Sequence, residues 1–399
     1  MSRRRALVCA PYMPVFDRER GAKRVFDIIS FLRASGWSVT FIAHDGTNGQ
    51  RYARALRQRG VEVYSGYYSR LAGDEYLPDI RVLLKTAQFD IALLFFWQIA
   101  ELYTDAIRTC SPETRVIVDS VDLHFLRNAR RLLRRDGLGL VSSKLDGDYA
   151  NEMAREVNAY VAADAVFTIS QKEADLLNDF ANDRTLCFAL PDAEDPPQST
   201  VPIADRKGIL FIGNFHHPPN VEAVEYLCQA VLPRLDPAIL QEHPLYIVGN
   251  ALDDRVRSLA AGLNHVRLVG WVPSVLPYLQ RARVSVVPVL HGVGTKGKLL
   301  QALMAGTPSV STSIGMEGFD LQDGEHVLVA NDPATFALSI ERLVKDVDLS
   351  TRLATQGRAH VVARHGRGLV RDCLLGVVST ILARPSKRIQ TTNAKPSFG

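Results

Sequence analysis

Cysteine is scarce in this chain: five residues of 399, Cys9, Cys110, Cys187, Cys228 and Cys373. The number is odd, the positions are scattered, and no pair has Cys-x-x-Cys spacing. That argues against a disulfide frame or a zinc site and for free thiols in a reducing compartment. No apolar run reaches the roughly 18 residues a membrane span requires. Arg3, Arg4 and Arg5 followed by Ala-Leu-Val-Cys-Ala imitate the start of a signal peptide. The run is short, however, and Pro11 and Pro14 interrupt it, so we read it as a first core strand. Large net charge is missing too: +4 over the whole chain, too little for a general nucleic-acid binder. The excess is local, with Arg3, Arg4, Arg5, Arg18, Arg20, Lys23 and Arg24 set against only Asp17 and Glu19. Clusters of His, Cys and Asp at metal-ligand spacing are lacking. Two Asp-x-Asp segments, at 146–148 and 346–348, do not follow apolar strands, and we read them as surface charge with no metal site expected.

Apolar residues make up 47% of the chain, enough for each half to bury its own core. Short apolar runs at Ala6–Ala10, Val39–Ala43, Val61–Tyr64, Ile91–Phe96, Val116–Asp119 and Ala165–Ser170 read as buried strands. Helical spacing lies between them, as at Val25–Ala34, Tyr52–Arg59, Glu101–Arg108 and Gln171–Phe180. Pro191, Pro196, Pro197 and Pro202 among acidic and hydroxyl residues then mark a linker, placed at 196–207. The pattern restarts with strands at Gly208–Gly213, Leu245–Gly249, Val266–Leu268, Val284–Val287, Ser309–Ser311 and Val327–Val329. Helices are expected at Val221–Leu232, Asp253–Ala261, Pro333–Val344 and Leu349–Ala363. The expected fold class is α/β, with two Rossmann-like doubly wound parallel-sheet domains, 1–195 and 208–370, facing across a cleft. A C-terminal helix is expected at 371–385, and 386–399 lacks the apolar content to fold.

The most informative segment is Gly292-Val293-Gly294-Thr295-Lys296-Gly297-Lys298, set between the run Val284–Pro288 and a helix that reaches Gly306. Glycines let backbone N–H groups crowd an anion, and a helix start adds partial positive charge. Lys296 and Lys298 add two full charges, so the loop suits a phosphate or diphosphate. The segment also fits Gly-x-x-x-x-Gly-Lys, but Leu299 stands where a nucleotide triphosphatase needs Ser or Thr to hold magnesium. The plain rival is a surface turn with solvated lysines.

From Gly208 to about His365 the chain resembles the carboxyl-terminal domain of GT-B glycosyltransferases, specifically the retaining family 4 group, also called group 1. The blocks that carry the resemblance occur in order: Ile209–Gly213 with Pro219-Asn220, Tyr246–Asn250, Val266–Val272, Val293–Gly306, and Pro308–Thr312 with Gly315–Phe319. The resemblance implies that Lys296 and Lys298 hold the diphosphate of a nucleotide-sugar donor, whose growing negative charge is met without a metal or a cofactor. It implies donor contacts from Gly213, Gly292, Val293, Gly294, Thr295 and Glu317, base contacts from Trp271 and Val272, and a ribose contact from Gln301. The family typically carries two glutamates eight positions apart; here Val293 and Gln301 stand in their places. A Gln accepts one ribose hydrogen bond but not two as a carboxylate does.

In the first half, Pro14–Arg24 resembles the family's strand-to-helix loop, with Gly21 bringing backbone to the diphosphate. Val118–Arg127 resembles its Asp-x-x-Asp-Leu-His segment, which would place Asp122 and His124 near the sugar and the acceptor hydroxyl. A lone His is as often structural. Arg127, Arg130, Arg131, Arg134 and Arg135 share one helix face, read as solvated or as a contact to anionic headgroups. The activity implied is a retaining glycosyl transfer from a nucleotide-diphosphate sugar to a glycan or lipid-linked glycan, in assembly of a bacterial surface polysaccharide. The place implied is the cytoplasm or the inner face of the cell membrane. A nucleotide-sugar epimerase of the same architecture and a non-catalytic sugar-binding relative are the alternatives.

Overall fold

The computed structural model describes residues 4–46, 49–65, 79–133, 144–197, 201–252 and 254–387. In the first domain the chain runs β1 (Arg5–Tyr12), α1 (Arg20–Ala34), β2 (Ser38–Asp45), α2 (Gln50–Arg57), β3 (Glu62–Ser65), α3 (Ile80–Thr86), β4 (Ile91–Phe95), α4 (Trp97–Cys110), β5 (Arg115–Asp119), α5 (His124–Leu132), α6 (Gly147–Val161), β6 (Ala165–Thr168), α7 (Gln171–Ala181) and β7 (Cys187–Ala189). The second domain runs β8 (Ile209–Ile212), α8 (Pro218–Tyr226), α9 (Pro237–Glu242), β9 (Leu245–Val248), α10 (Asp254–Ala260), β10 (Val266–Gly270), α11 (Leu276–Arg281), β11 (Val284–Val287), α12 (Gly297–Met304), β12 (Ser309–Ser311), β13 (Leu328–Val329), α13 (Pro333–Lys345) and α14 (Val347–His365), before α15 (Arg367–Leu382).

Both sheets are parallel. The first has the order β3-β2-β1-β4-β5-β6-β7 and the second β10-β9-β8-β11-β12-β13. Central strands such as β4 are buried along their whole length, as burial under helices on both faces requires. Strand order reverses between β1 and β4 in one sheet and between β8 and β11 in the other. At such reversals the loops leave toward opposite faces and open a crevice at the carboxyl ends of the strands. The loop after β11 is the lysine-bearing segment, so the fold delivers it to the crevice of the second sheet.

The chain crosses between the domains twice. The second crossing follows α14, where Gly366 takes up extended backbone and α15 returns to the first domain. Val370, Leu374, Val378 and Ile381 of α15 are buried in the same cluster as Val25, Ile29 and Phe41, at about 2 kcal/mol for each large side chain removed from water. The two crossings touch: Glu194 bridges Gly366, and the Asp192 carbonyl lies 3.0 Å from His365 Nδ1.

Three local features differ from the sequence pattern. The helix expected over Val221–Leu232 ends at Tyr226 and continues as a π turn, Leu227–Val231, then a 3₁₀ turn, Leu232–Arg234. Pro233 has no N–H to continue the ladder. The two Asp-x-Asp segments are helix starts: Asp146 caps α6 by accepting from Tyr149 N, and Asp346 caps α14 by accepting from Leu349 N. The strand β7 is three residues long, too short to show a period. The arginines at 134 and 135 and the tail from 388 lie outside the described residues.

Candidate active site

The second-domain wall of the cleft is the turn between β11 and α12. Helix α12 begins at Gly297 with Lys296 as its N-cap and no side chain capping it, so its first N–H groups point into the cleft. Gly294 has a positive φ of 68°, and an added Cβ would come 2.6 Å from Ile169 Cδ1 of the first domain. Glycine is therefore required there twice over, by backbone and by space. Lys296 Nζ donates to the carbonyls of Val293 (3.1 Å) and Gly294 (2.5 Å). Lys298 Nζ donates to Asn220 Oδ1 at 2.6 Å and sits 4.2 Å from the centre of the Phe211 ring. Among the described residues neither ammonium forms an ion pair. Burial pulls Lys296 down to about 8, although the Glu317 carboxylate opposes the shift. Burial and the neighbouring Lys296 pull Lys298 down to about 7.

A second helix start faces the first. Helix α1 begins at Arg20 after Glu19, again with no side-chain cap. The two starts are close enough that a Cβ on Gly297 would lie 2.4 Å from Arg20 Cδ. Two uncapped positive helix ends and two desolvated ammonium groups thus converge, an arrangement that an anion relieves.

The first-domain wall is built differently. Arg24 of α1 grips Asp119 at the end of β5, with Nε 2.9 and 3.0 Å from the two carboxylate oxygens, and reaches Asp192 at 3.2 Å. Just beyond, Val121 has φ of 60°, and Phe96, just past β4, has φ of 70°. Positive φ is strained for a β-branched residue. Here it turns the chain at the strand end, and the Asp119 carboxylate accepts from Val121 N at 3.0 Å. Gly21 packs on this turn, since a Cβ there would lie 3.2 Å from Val121 Cγ1. Helix α5 then starts at His124. Its first amides, His124 N and Phe125 N, donate to the two oxygens of Glu156, which also accepts from the Tyr160 hydroxyl.

His124 and Asp122 meet, with Nε2 3.1 Å from Oδ1. The indole N–H of Trp97 can only donate, and it points at His124 Nδ1 (3.3 Å), so the ring proton sits on Nε2 toward Asp122. Burial would raise the Asp122 carboxyl, but His124 and Arg127 outweigh it and hold it low. Both ring nitrogens of His124 are therefore engaged.

The walls are tied by Glu317, which lies between β12 and β13. Arg130 of α5 donates to both its oxygens, at 2.7 and 2.9 Å, and also to the Gly292 carbonyl at 2.8 Å. Lys172 of α7 adds a third bond at 2.6 Å. Against the upward push of burial, these two cations hold Glu317 at about 2. The arginines of α5 are thus not one solvated face. Arg127 pairs with Asp122 and Arg130 spans the cleft, whereas Arg131 is exposed.

Of the expected site residues, Gly21, Asp122, His124, Gly292, Val293, Gly294, Thr295, Lys296, Lys298 and Glu317 gather in or around this cleft. Gly213 closes β8 and packs against Gly249, whose added Cβ would overlap the Gly213 carbonyl. It also abuts Asn220, the partner of Lys298. Trp271 follows the edge strand β10 and is 49% exposed, with Val272 half-buried beside it. Gln301 is half-buried on α12, one helical turn beyond Lys298. The sequence pattern does not single out Asn220 as the lysine's holder, Arg130 as a cleft residue, or Glu173. The only local signal for Glu173 is Ser170-x-x-Glu173, which marks a helix start and nothing more.

Comparisons with known proteins bear on the fold and on the second domain. Residues 206–346 match the family described as glycosyl transferases group 1. The phosphatidyl-myo-inositol mannosyltransferase of Mycobacterium leprae is 29% identical over 45% of this chain and 48% of its own length. The lipopolysaccharide core biosynthesis glycosyltransferase LpsE of Rhizobium meliloti is 32% identical over 34% and 42%. The chain thus spans less than half the length of these curated relatives. Among solved structures, a glycosyltransferase from Rickettsia africae superposes with a TM-score of 0.70 at 12% identity, over 96% of this chain and 100% of that one. Anabaena HepE, solved with UDP and glucose, gives 0.65 at 13%, over 94% and 100%. The second domain thus resembles the glycosyl transferases group 1 family over residues 206–346, and the two parallel sheets together have the GT-B fold of these solved structures.

Proposed function

We propose that this protein transfers a sugar from a nucleoside-diphosphate sugar to an acceptor hydroxyl, with retention at the anomeric carbon, in the assembly of a bacterial glycan. One observation carries the reading: two uncapped helix starts and two desolvated lysines, neither in an ion pair among the described residues, converge at the carboxyl edges of the facing sheets. A diphosphate placed there gains charge as the glycosidic bond breaks, and fixed donors stabilise that charge in the transition state more than in the ground state. The groups that do this belong to the chain, so the reaction is proposed to run without an added metal.

In this reading the leaving phosphate takes the acceptor's proton, with donor and acceptor on one face. Asp122, held by His124 and Arg127, keeps lone pairs that accept from the sugar or the incoming hydroxyl. The relatives' names support a polysaccharide or lipid-linked acceptor, since one acts in lipopolysaccharide core biosynthesis and another on phosphatidyl-myo-inositol. Among the described residues no helix is long and apolar enough to cross a membrane.

The test is product analysis with UDP-, GDP- and ADP-sugars and an oligosaccharide acceptor, with and without EDTA. The expected result is a transferred sugar with the donor's anomeric configuration, unaffected by the chelator. An isomerised donor formed without acceptor would show an epimerase instead. Nucleotide binding with neither transfer nor hydrolysis would show a sugar-binding relative.

A further inference from the structure

Glu173 lies in the first turn of α7, beneath the Gly294 turn, and is 4% exposed. Among the described residues neither of its carboxylate oxygens has a hydrogen-bond partner. The sequence Ser170-x-x-Glu173 is that of a capping box, and Ser170 Oγ does accept from Glu173 N. The return half is missing: the Glu173 carboxyl does not close onto the helix start but faces the other domain. An added Cβ on Gly294 would lie 3.5 Å from Glu173 Oε1. Burial, reinforced by the charge of Asp122, raises the carboxyl to about 7, against a smaller lowering by the Ile169 backbone and the charge of Lys296.

The charged groups around Glu173 are already satisfied by others. Lys296 holds loop carbonyls, Arg130 holds Glu317, Asp122 holds His124 and Arg127, Arg24 holds Asp119, and Tyr160 donates to Glu156. Lys296, Asp122, Arg24, Arg130 and Tyr160 each feel Glu173 or are felt by it electrostatically. Glu173 is the member of the cluster left over, together with the Thr295 hydroxyl across the domain boundary, which is also buried without a partner. An orphaned buried carboxyl is costly, and native proteins keep few of them.

We propose that Glu173 is a hydroxyl-binding residue of the cleft, presented by the first domain to the sugar unit of the donor. The proposal rests on the diphosphate reading above: with a diphosphate at Lys296 and Lys298, the attached sugar must lie within reach of the Gly294 turn. A bound sugar that separates this turn from α7 supplies the O–H donors the carboxyl lacks. Contact with the sugar, not the nucleotide, is then what this residue contributes.

The test is calorimetric titration of the full chain with UDP, GDP and ADP and with UDP-glucose, GDP-mannose and ADP-glucose, taking the tightest nucleotide and its sugar on to Glu173→Ala and Glu173→Gln. The expected result has three parts. Both variants bind the nucleoside diphosphate within about twofold of wild type. Glu173→Ala binds the nucleotide-sugar about 10- to 100-fold more weakly, and Glu173→Gln recovers part of the loss because its amide oxygen still accepts. Without ligand, both variants melt at or above the wild-type temperature, because no buried carboxyl is left unpaired. Unchanged nucleotide-sugar affinity, an equal loss for nucleotide and nucleotide-sugar, or a clearly lower melting temperature in both variants would overturn the proposal and leave the diphosphate site standing. A wild-type chain that binds none of the six ligands would remove the diphosphate reading and this one with it.

Discussion

The two walls of the cleft treat buried charge in opposite ways. On the first-domain wall each ionised group named there except Glu173 is answered by a partner: Arg24 by Asp119 and Asp192, Asp122 by His124 and Arg127, Glu156 by two amides and a hydroxyl. On the second-domain wall Lys296 and Lys298 have, among the described residues, only carbonyls, an amide oxygen and an aromatic face. Paired charge fixes backbone; here it holds the strained ends of β4 and β5 and the start of α5. Unpaired, desolvated charge is poised for a counter-ion. The lesson is that the partner list of a buried ion, and not its burial alone, separates framework from binding site.

Substitutions should break this contrast in different currencies. Arg24→Ala leaves Asp119 buried without its cation and should cost about 3–5 kcal/mol of stability, read from the urea midpoint. Retention of wild-type stability would show that the first wall is not held by its ion pairs. Lys296→Ala and Lys298→Ala should each lower kcat by roughly 10²–10³-fold while melting at or above wild type, since each removes a desolvated charge. A variant that turns over normally, or that simply unfolds, would erase the distinction between the walls. The smallest effect belongs to a residue outside both. Asp346→Ala should lose about 1 kcal/mol of stability with its cap and no activity; loss of turnover at unchanged stability would restore a chemical role to that Asp-x-Asp segment.

Strand and helix periods made the two α/β halves legible, and in β11 and β12 even the boundaries. The lysine turn was legible because glycine, lysine and a helix start have local meanings. What stayed hidden depends on partners distant in sequence. Arg130 and Glu317 are 187 residues apart, and Arg24 and Asp119 are 95 apart. No periodicity shows that Arg130 leaves its helical neighbours to cross the cleft, or that Glu173 carries a capping-box sequence without completing the box. The C-terminal helix was visible as a helix, but its return to the first domain rests on Val370, Leu374, Val378 and Ile381 meeting a core built around Val25 and Ile29, near the other end of the chain. The Asp-x-Asp segments show the reverse case, a motif whose local meaning is a cap.

The most direct measurement is proton uptake on diphosphate binding, obtained by titrating UDP, GDP or ADP, whichever binds tightest, in buffers of different ionisation enthalpy. With Lys298 near 7 and Lys296 near 8 in the free protein, both ammonium groups are partly neutral at pH 8. An anion binds the charged forms, so binding must draw protons in, and affinity must fall as pH rises from 7 to 9. We expect an uptake of about one proton at pH 8, reduced in Lys298→Ala. Affinity that stays flat across that range with no proton exchanged would contradict the claim that these two lysines receive the diphosphate.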